Sequence, residues 1–249
     1  MKKVPPFGLK VPHGNKYIYK IMRAEDLLSS ITKNYLYFKN VEKYKDKHDG
    51  EQTSRDRELN ESWSFKNVPD SKGDKYFDKS RARTYACCFS LENSNYIWNE
   101  YGNGSEIGKV CVVLKFGKLR TMLERCNSDV RYDGIPFDLS YGIVEYDDRS
   151  NHSIWEVHGR GNNILNTYFK DKKYKKEKEF RIALFPKTHG LYDGNPMEFP
   201  DELFLVGFDF RAAIANNTVQ EIKYAHGCDS DFIKTELNKL GIMLQSNKN

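Results

Sequence analysis

Short apolar alternations along this chain are separated by long polar stretches. Residues 17–22 (Tyr-Ile-Tyr-Lys-Ile-Met) are β-branched and aromatic with alternation, which predicts a strand. Residues 24–33 follow as a helix, with Leu27, Leu28 and Ile31 on one face, Glu25 and Asp26 in the first turn where the dipole favours acids, and Asn34 as the stop. Further strands are predicted at 35–38, 84–90, 109–116, 141–147, 179–185, 203–210 and 219–224, with a closing strand at 242–244. Short helices are predicted at 95–101 and 119–126. Another covers 231–240, with Asp229 or Ser230 as N-cap and Gly241 just past its end. A helix of open register is expected within 150–169. Strands dominate without a regular βαβ alternation, so the pattern predicts an α+β fold rather than a doubly wound sheet. The chain reads as a single domain over 1–249, with an irregular arm at 1–16. The stretch 39–83, crowded with charged and amide side chains, reads as a surface insertion carrying short helical pieces and a few aromatics such as Trp63, Phe65, Tyr76 and Phe77.

Composition narrows the class. The 14% aromatic content argues for a folded core despite 30% charged residues and a mean hydropathy of -0.75. A formal net charge of +5 permits nucleic-acid contact without requiring it. Five cysteines, without a C-x-x-C pair, fit reduced thiols better than a disulfide framework or a zinc site. No apolar run has the length of a membrane span, and the basic N-terminal residues lack an apolar segment behind them, so a cytoplasmic protein with no membrane partner is expected.

Phosphate-loop, dinucleotide-fold, nucleophile-elbow and zinc-protease motifs are absent, and the six histidines lack metal-ligand spacing, so no metal is expected. Asp46, Asp49 and Glu51 with His48 among them form an acidic cluster that a metal nuclease could use, or that is simply a solvated loop. Three segments carry more chemistry: Tyr19-Lys20-Ile21, Cys88-Phe89-Ser90 followed by Trp98 and Tyr101, and Lys178-Glu179-Phe180-Arg181.

As an ordered set, these segments resemble a large bacterial family that extends from about Tyr17 to the C-terminus. Its phrases are Tyr-Lys, Leu-Tyr-Phe, Cys-Phe-Ser with Trp-x-x-Tyr, Glu-x-Glu-x-Arg and Glu-Ile-x-x-Ala-x-Gly. Two of that family's features are replaced here: its Asn-Asp-Pro-Phe turn by Tyr44-Lys45-Asp46-Lys47-His48-Asp49, and its His-x-Gly by Glu106-Ile107-Gly108. The same order is similar to the ADP-ribosyltransferase superfamily, either the DarT-like toxins or an mRNA-modifying toxin of a phage-defence toxin–antitoxin–chaperone system. Lys20 stands where DarT-like enzymes place His or Arg. The resemblance implies a mixed, mostly antiparallel β core. It also implies NAD as substrate, an intracellular nucleic-acid or protein target, and an antitoxin partner.

On that reading, Glu179 is the carboxylate that stabilises the oxocarbenium-like cation formed when the nicotinamide–ribose bond breaks, and Glu177 orients or deprotonates the incoming nucleophile. Lys20 and Tyr19 face the diphosphate or adenosine ribose, Ser90 ends the middle strand, and Tyr37, Phe89, Trp98 and Tyr101 offer stacking surfaces. Strand geometry points Glu177 and Glu179 to the same sheet face, with Arg181. Lys170, Lys172, Lys173, Lys175, Lys176 and Lys178 form a basic tract around Tyr174, and with a nucleic-acid target this tract, Lys172, Lys173, Lys175 and Lys176 above all, would hold phosphates beside that strand. Plainer readings stand beside these. Lys20 is a surface strand residue, Glu179 with Arg181 is a structural ion pair, Trp98 and Tyr101 are core, and the lysine tract is a solvated loop. Under these, the protein is a binding module for nucleic acid or a partner protein.

Overall fold

The computed structural model describes residues 9–61, 81–126, 130–132, 134–148, 163–186, 191–192, 195–196 and 200–242. The fold is α+β. Its strands in chain order are β1 (Tyr17–Arg23), β2 (Tyr35–Asn40), β3 (Tyr85–Ser90), β4 (Lys109–Lys115), β5 (Arg131–Tyr132), β6 (Ile135–Ile143), β7 (Glu145–Asp147), β8 (Phe169–Asp171) and β9 (Glu179–Pro186). β10 (Leu191–Tyr192), β11 (Asn195–Pro196), β12 (Glu202–Val206) and β13 (Val219–Tyr224) follow. The helices are α1 (Ala24–Lys33), α2 (Ser54–Glu61), α3 (Asn95–Glu100), α4 (Phe116–Cys126), α5 (Asn163–Asn166), α6 (Phe210–Ala215) and α7 (Ser230–Lys239).

The chain divides into two compact units, each built from three stretches: 1–11, 38–87 and 129–203 in the first, 12–37, 88–128 and 204–249 in the second. In the second unit β4 is central, with β1 and β13 antiparallel on its two sides. On this strand Val110, Cys111, Val112 and Leu114 are at most 2% exposed. α1 and α7 bury Leu27, Ile31, Ile233 and Leu237 at their apolar faces. In the first unit β6 and β9 form a seven-pair antiparallel ladder from Phe137↔Pro186 to Ile143↔Phe180. β7 and β8 run parallel, and β2 meets β3 at Lys39↔Ala86. Here Phe38, Tyr85, Phe137, Tyr168, Phe180 and Ile182 are buried.

Local chemistry explains the terminations. Asn34 closes α1 in the left-handed conformation at φ 53, donating its backbone N–H to Ser30 O. Asp209 and Asp229 cap α6 and α7 by accepting from the N–H of Ala212 and Phe232. Glu25 is more than a first-turn acid: Oε2 accepts from Ser105 Oγ at 2.7 Å and Oε1 from the N–H of Glu106 at 2.8 Å, tying α1 to the loop before β4. Partial burial opposes its ionisation, but these bonds outweigh it and hold its carboxyl below the usual range. Glu25→Ala should therefore cost about 1 kcal/mol, discounted for its exposure. Exchange of the Glu106 and Ile107 amides should speed up. The contribution is present above the ordinary carboxylate pKa and fades as pH falls through the depressed one, so the variant and the parent should converge in acid.

Several expectations are corrected. The segment 203–210 is not one strand: β12 ends at Val206, and Phe210 opens α6, which the pattern missed because Ala212 and Ala213 carry little periodic signal. The segment 141–147 belongs to two strands, β6 and β7, broken at the buried Val144. Ile242 is buried but not in a strand, and Met243 and Leu244 lie outside the described residues, as do Trp63, Phe65, Tyr76 and Phe77. The stretch 39–83 is not wholly a surface excursion, since Asp49, Gln52, Thr53 and Asp56 are buried. Of the cysteines, Cys87, Cys88, Cys111 and Cys228 form no disulfide. Burial pushes the Cys111 thiol up to about 12, so in the folded protein it should resist alkylation at pH 8 and be modified after the half-buried Cys88; mass mapping of the labelled peptides checks this.

Candidate functional site

The strongest concentration of charge lies in the first unit, at the head of β9. The strand starts after a 3-10 turn over Lys172–Glu177, which Asp171 caps by accepting from the Lys173 N–H and which Lys178 closes in the left-handed conformation at φ 47. That reversal takes Glu177 off the strand, so the expectation that Glu177, Glu179 and Arg181 share one strand face is corrected: Glu177 approaches from the end of the turn. The two glutamates nevertheless meet at one cation. Lys170 Nζ, from β8, donates to Glu177 Oε2 at 2.6 Å and lies 3.5 Å from both Glu179 Oε2 and Asp49 Oδ2.

Arg181 completes the network. Its Nη1 donates to Asp49 Oδ1 at 2.6 Å and to the Thr167 carbonyl at 2.7 Å; its Nη2 donates to Asp49 Oδ2 at 2.6 Å and to Glu179 Oε2 at 2.8 Å. The Arg181–Asp49 contact is thus a fork-on-fork pair, joining residues 132 positions apart. Tyr44 lies under the guanidinium at 5.7 Å and Tyr174 beside Lys170 Nζ at 4.6 Å. The Tyr146 hydroxyl accepts from the Glu179 N–H at 2.8 Å, and burial, with the Glu179 carboxylate next in weight, pushes its phenol well up. Asp49 itself is positioned by Gly50, whose φ of +71 and close approach to Val41 leave no room for a side chain: a Cβ would sit 2.6 Å from Val41 Cγ1.

Every member is buried: Arg181 is 0% exposed, Asp49 1%, Glu179 4%, Glu177 6% and Lys170 7%. Three carboxylates face two cations, which leaves an excess of negative charge in a low-dielectric setting. Burial alone would lower the Lys170 pKa. Glu179 opposes that most strongly, and with Asp49 and Glu177 it outweighs both burial and Arg181, so the ammonium is held above its ordinary range. Its contribution to stability is complete below the ordinary lysine pKa and lost only in strong alkali.

The sequence-predicted residues therefore fall into groups. Glu177, Glu179 and Arg181 are brought together in the first unit, with Glu179–Arg181 as an ion pair. Lys172, Lys173, Lys175 and Lys176 are exposed on the 3-10 turn, whereas Lys170, read as part of the same tract, is inside the network. Tyr19, Lys20, Tyr37, Phe89, Ser90, Trp98 and Tyr101 belong to the second unit. There Lys20 Nζ donates to the Cys88 carbonyl at 3.2 Å and lies 5.2 Å from the Phe89 ring centroid, and Tyr19 pairs with Ser90 across β1 and β3. The Ser90 hydroxyl accepts from the Glu92 N–H and so shapes the turn after β3. Phe89 is a core residue at 3% exposure. Trp98 and Tyr101 are not core: α3 buries Ile97 instead, Trp98 is half-buried with its indole N–H on Asn93 Oδ1, and Tyr101 is 37% exposed.

Sequence reasoning missed Asp49 as the partner of Arg181, and Lys170 as the hub. The acidic cluster at 46–51 is split by this: Asp49 turns inward, while Asp46, His48 and Glu51 line an outward cavity of about 420 Å3 that also takes in Arg57, Asp171 and Lys173. Among the described residues no helix is long and apolar enough to cross a membrane, and no group of three or more His, Cys, Asp or Glu side chains is arranged to hold a metal ion. No protein-family model matches the chain and no curated protein matches it, so the functional reading rests on this geometry and the sequence order.

Proposed function

We propose that the protein transfers ADP-ribose from NAD to an intracellular nucleic-acid target, as a toxin or phage-defence effector, with Glu179 as the carboxylate that meets the developing ribosyl cation. The observation that carries this reading is the negative excess around Glu179, whose backbone and carboxylate are fixed by Tyr146, Lys170 and Arg181. A carboxylate held by fixed partners needs no reorganisation when positive charge develops beside it, and that electrostatic preorganisation is what glycosyl transfer from NAD asks of a protein. Glu177, anchored by Lys170, is the group assigned to orient the nucleophile. The exposed lysines of the 3-10 turn directly before Glu179 supply phosphate contacts for a nucleic-acid acceptor. The test is incubation of the purified protein with labelled NAD and, separately, RNA, DNA and cell lysate, beside Glu179→Gln.

One observation favours a second reading. Glu177 and Glu179 are both at most 6% exposed and ion-paired, as structural carboxylates are. On that reading the network is a strut, and the lysine tract makes the protein a nucleic-acid-binding module without NAD turnover. Salt-sensitive nucleic-acid binding with no NAD contact would select it.

A further inference from the structure

The cavity outside the buried network has walls of two kinds. Asp46, Glu51, Asp148 and Asp171 present carboxylates, and Arg57 and Lys173 present cations. Gln52, Thr53 and Ser54 add amide and hydroxyl groups. All of these residues belong to the first unit. Two of the acids already hold the walls in place: Asp46 Oδ1 accepts from the His48 N–H at 3.1 Å, and Asp171 Oδ1 from the Lys173 N–H at 2.9 Å. An ionised carboxylate has about four acceptor positions, so one backbone bond leaves it able to accept more. Glu51 is shared between His48 at 2.7 Å and Arg57 at 3.4 Å, which fixes the guanidinium on the wall.

A simple anion does not fit these walls, because four carboxylates would repel it. A bare cation does not fit either, because Arg57 and Lys173 face it. The matching ligand carries an anionic group and several hydroxyl or N–H donors in one molecule of nucleotide size; at about 420 Å3 the cavity lies within the usual range for small-ligand sites, roughly 300–1,000 Å3. Lys173 is also a member of the exposed lysine run, with Lys172, Lys175, Lys176 and Lys178 beside it in the chain, and Lys45 and Lys47 flank Asp46 in the chain. A strand of phosphates held by that run meets the cavity at Lys173, the residue common to both.

We infer that the cavity seats one ribonucleotide of a single-stranded RNA whose backbone tracks the lysine run: Arg57 and Lys173 take its phosphate, and the carboxylates accept from the ribose 2′-hydroxyl and base N–H groups. The 2′-hydroxyl is the donor DNA lacks, so the acid walls make the site prefer RNA. This deepens the transferase reading by naming its target as RNA, and it rests on that reading only for what happens after binding.

The test is fluorescence anisotropy of the full chain, without NAD, against labelled single-stranded RNA of about a dozen nucleotides and its DNA counterpart. RNA should bind at least about tenfold tighter, the effect of one or two charge-assisted hydrogen bonds. Arg57→Gln with Lys173→Gln, both at accessible positions, should abolish that preference while circular dichroism stays unchanged. Lys172→Gln with Lys175→Gln and Lys176→Gln should weaken RNA and DNA alike. Equal affinity for RNA and DNA in the parent protein, or a preference that survives Arg57→Gln with Lys173→Gln, overturns the inference. RNA preference without label transfer from NAD would sink the transferase and leave the cavity assignment standing; label transfer to DNA or protein without RNA preference would do the reverse.

Discussion

Arg181→Met should lower stability by about 3–5 kcal/mol, because it leaves three buried carboxylates facing Lys170 alone. For a chain of this size, that corresponds to a fall in the thermal midpoint of roughly 6–20 °C. Methionine fills much of the volume, so the loss is electrostatic rather than a cavity effect. Arg181→Lys should fall between the two: it keeps the charge but cannot make two parallel bonds to Asp49 together with bonds to Thr167 and Glu179. Adding Asp49→Asn to Arg181→Met restores the original charge excess, so the double variant should be more stable than the sum of the single effects predicts, by about 0.5–3 kcal/mol. Differential scanning calorimetry of the four proteins gives the cycle. A single-variant loss within about 0.5 kcal/mol, the range of an ordinary surface change, would refute the network as a source of stability.

Glu179→Gln should behave in the opposite sense. It keeps an acceptor for Arg181 and brings the cluster to two carboxylates against two cations, so its cost in stability should stay within about 1–2 kcal/mol. If Glu179 stabilises the ribosyl cation, transfer of label from NAD should nevertheless fall by about 10²-fold or more. The contrast is the informative part, because a strut and a catalytic carboxylate make different predictions for the same substitution. A folded Glu179→Gln protein that transfers label at the parent rate would remove Glu179 from the chemistry.

Much of the local structure was legible in the sequence. α1 matches 24–33 residue for residue, β13 matches 219–224, and the caps at Asn34 and Asp229 fall where side-chain chemistry places them. Those features depend on neighbours a few positions away, and the apolar period reports them directly. Glu179 and Arg181 were legible as a pair for the same reason. Their partners were not. Asp49 looked like one more acid in a solvated loop, and Lys170 like one more base in a lysine tract, because composition cannot tell which member of a charge run turns inward. Gly50 beside Asp49 and the apolar Tyr168 and Phe169 before Lys170 were the available signals, and neither names the partner. The split of 203–210 was hidden by the opposite problem, an apolar run with no period to separate strand from helix.

The 132-position gap between Asp49 and Arg181 has a consequence for biosynthesis. At about 5–20 residues per second, a ribosome takes roughly 7 to 26 seconds to travel from one to the other. Throughout that interval the acid has no guanidinium and must stay hydrated, so the segment around residues 41–57 cannot settle into its native place. Nascent chains halted before residue 181 should be open to protease there, and chains halted after β9 has emerged should be protected. Cutting the gene into amino- and carboxy-terminal halves would separate the two charges into different polypeptides, so dissecting this protein calls for rejoined segments or circular permutation rather than truncation.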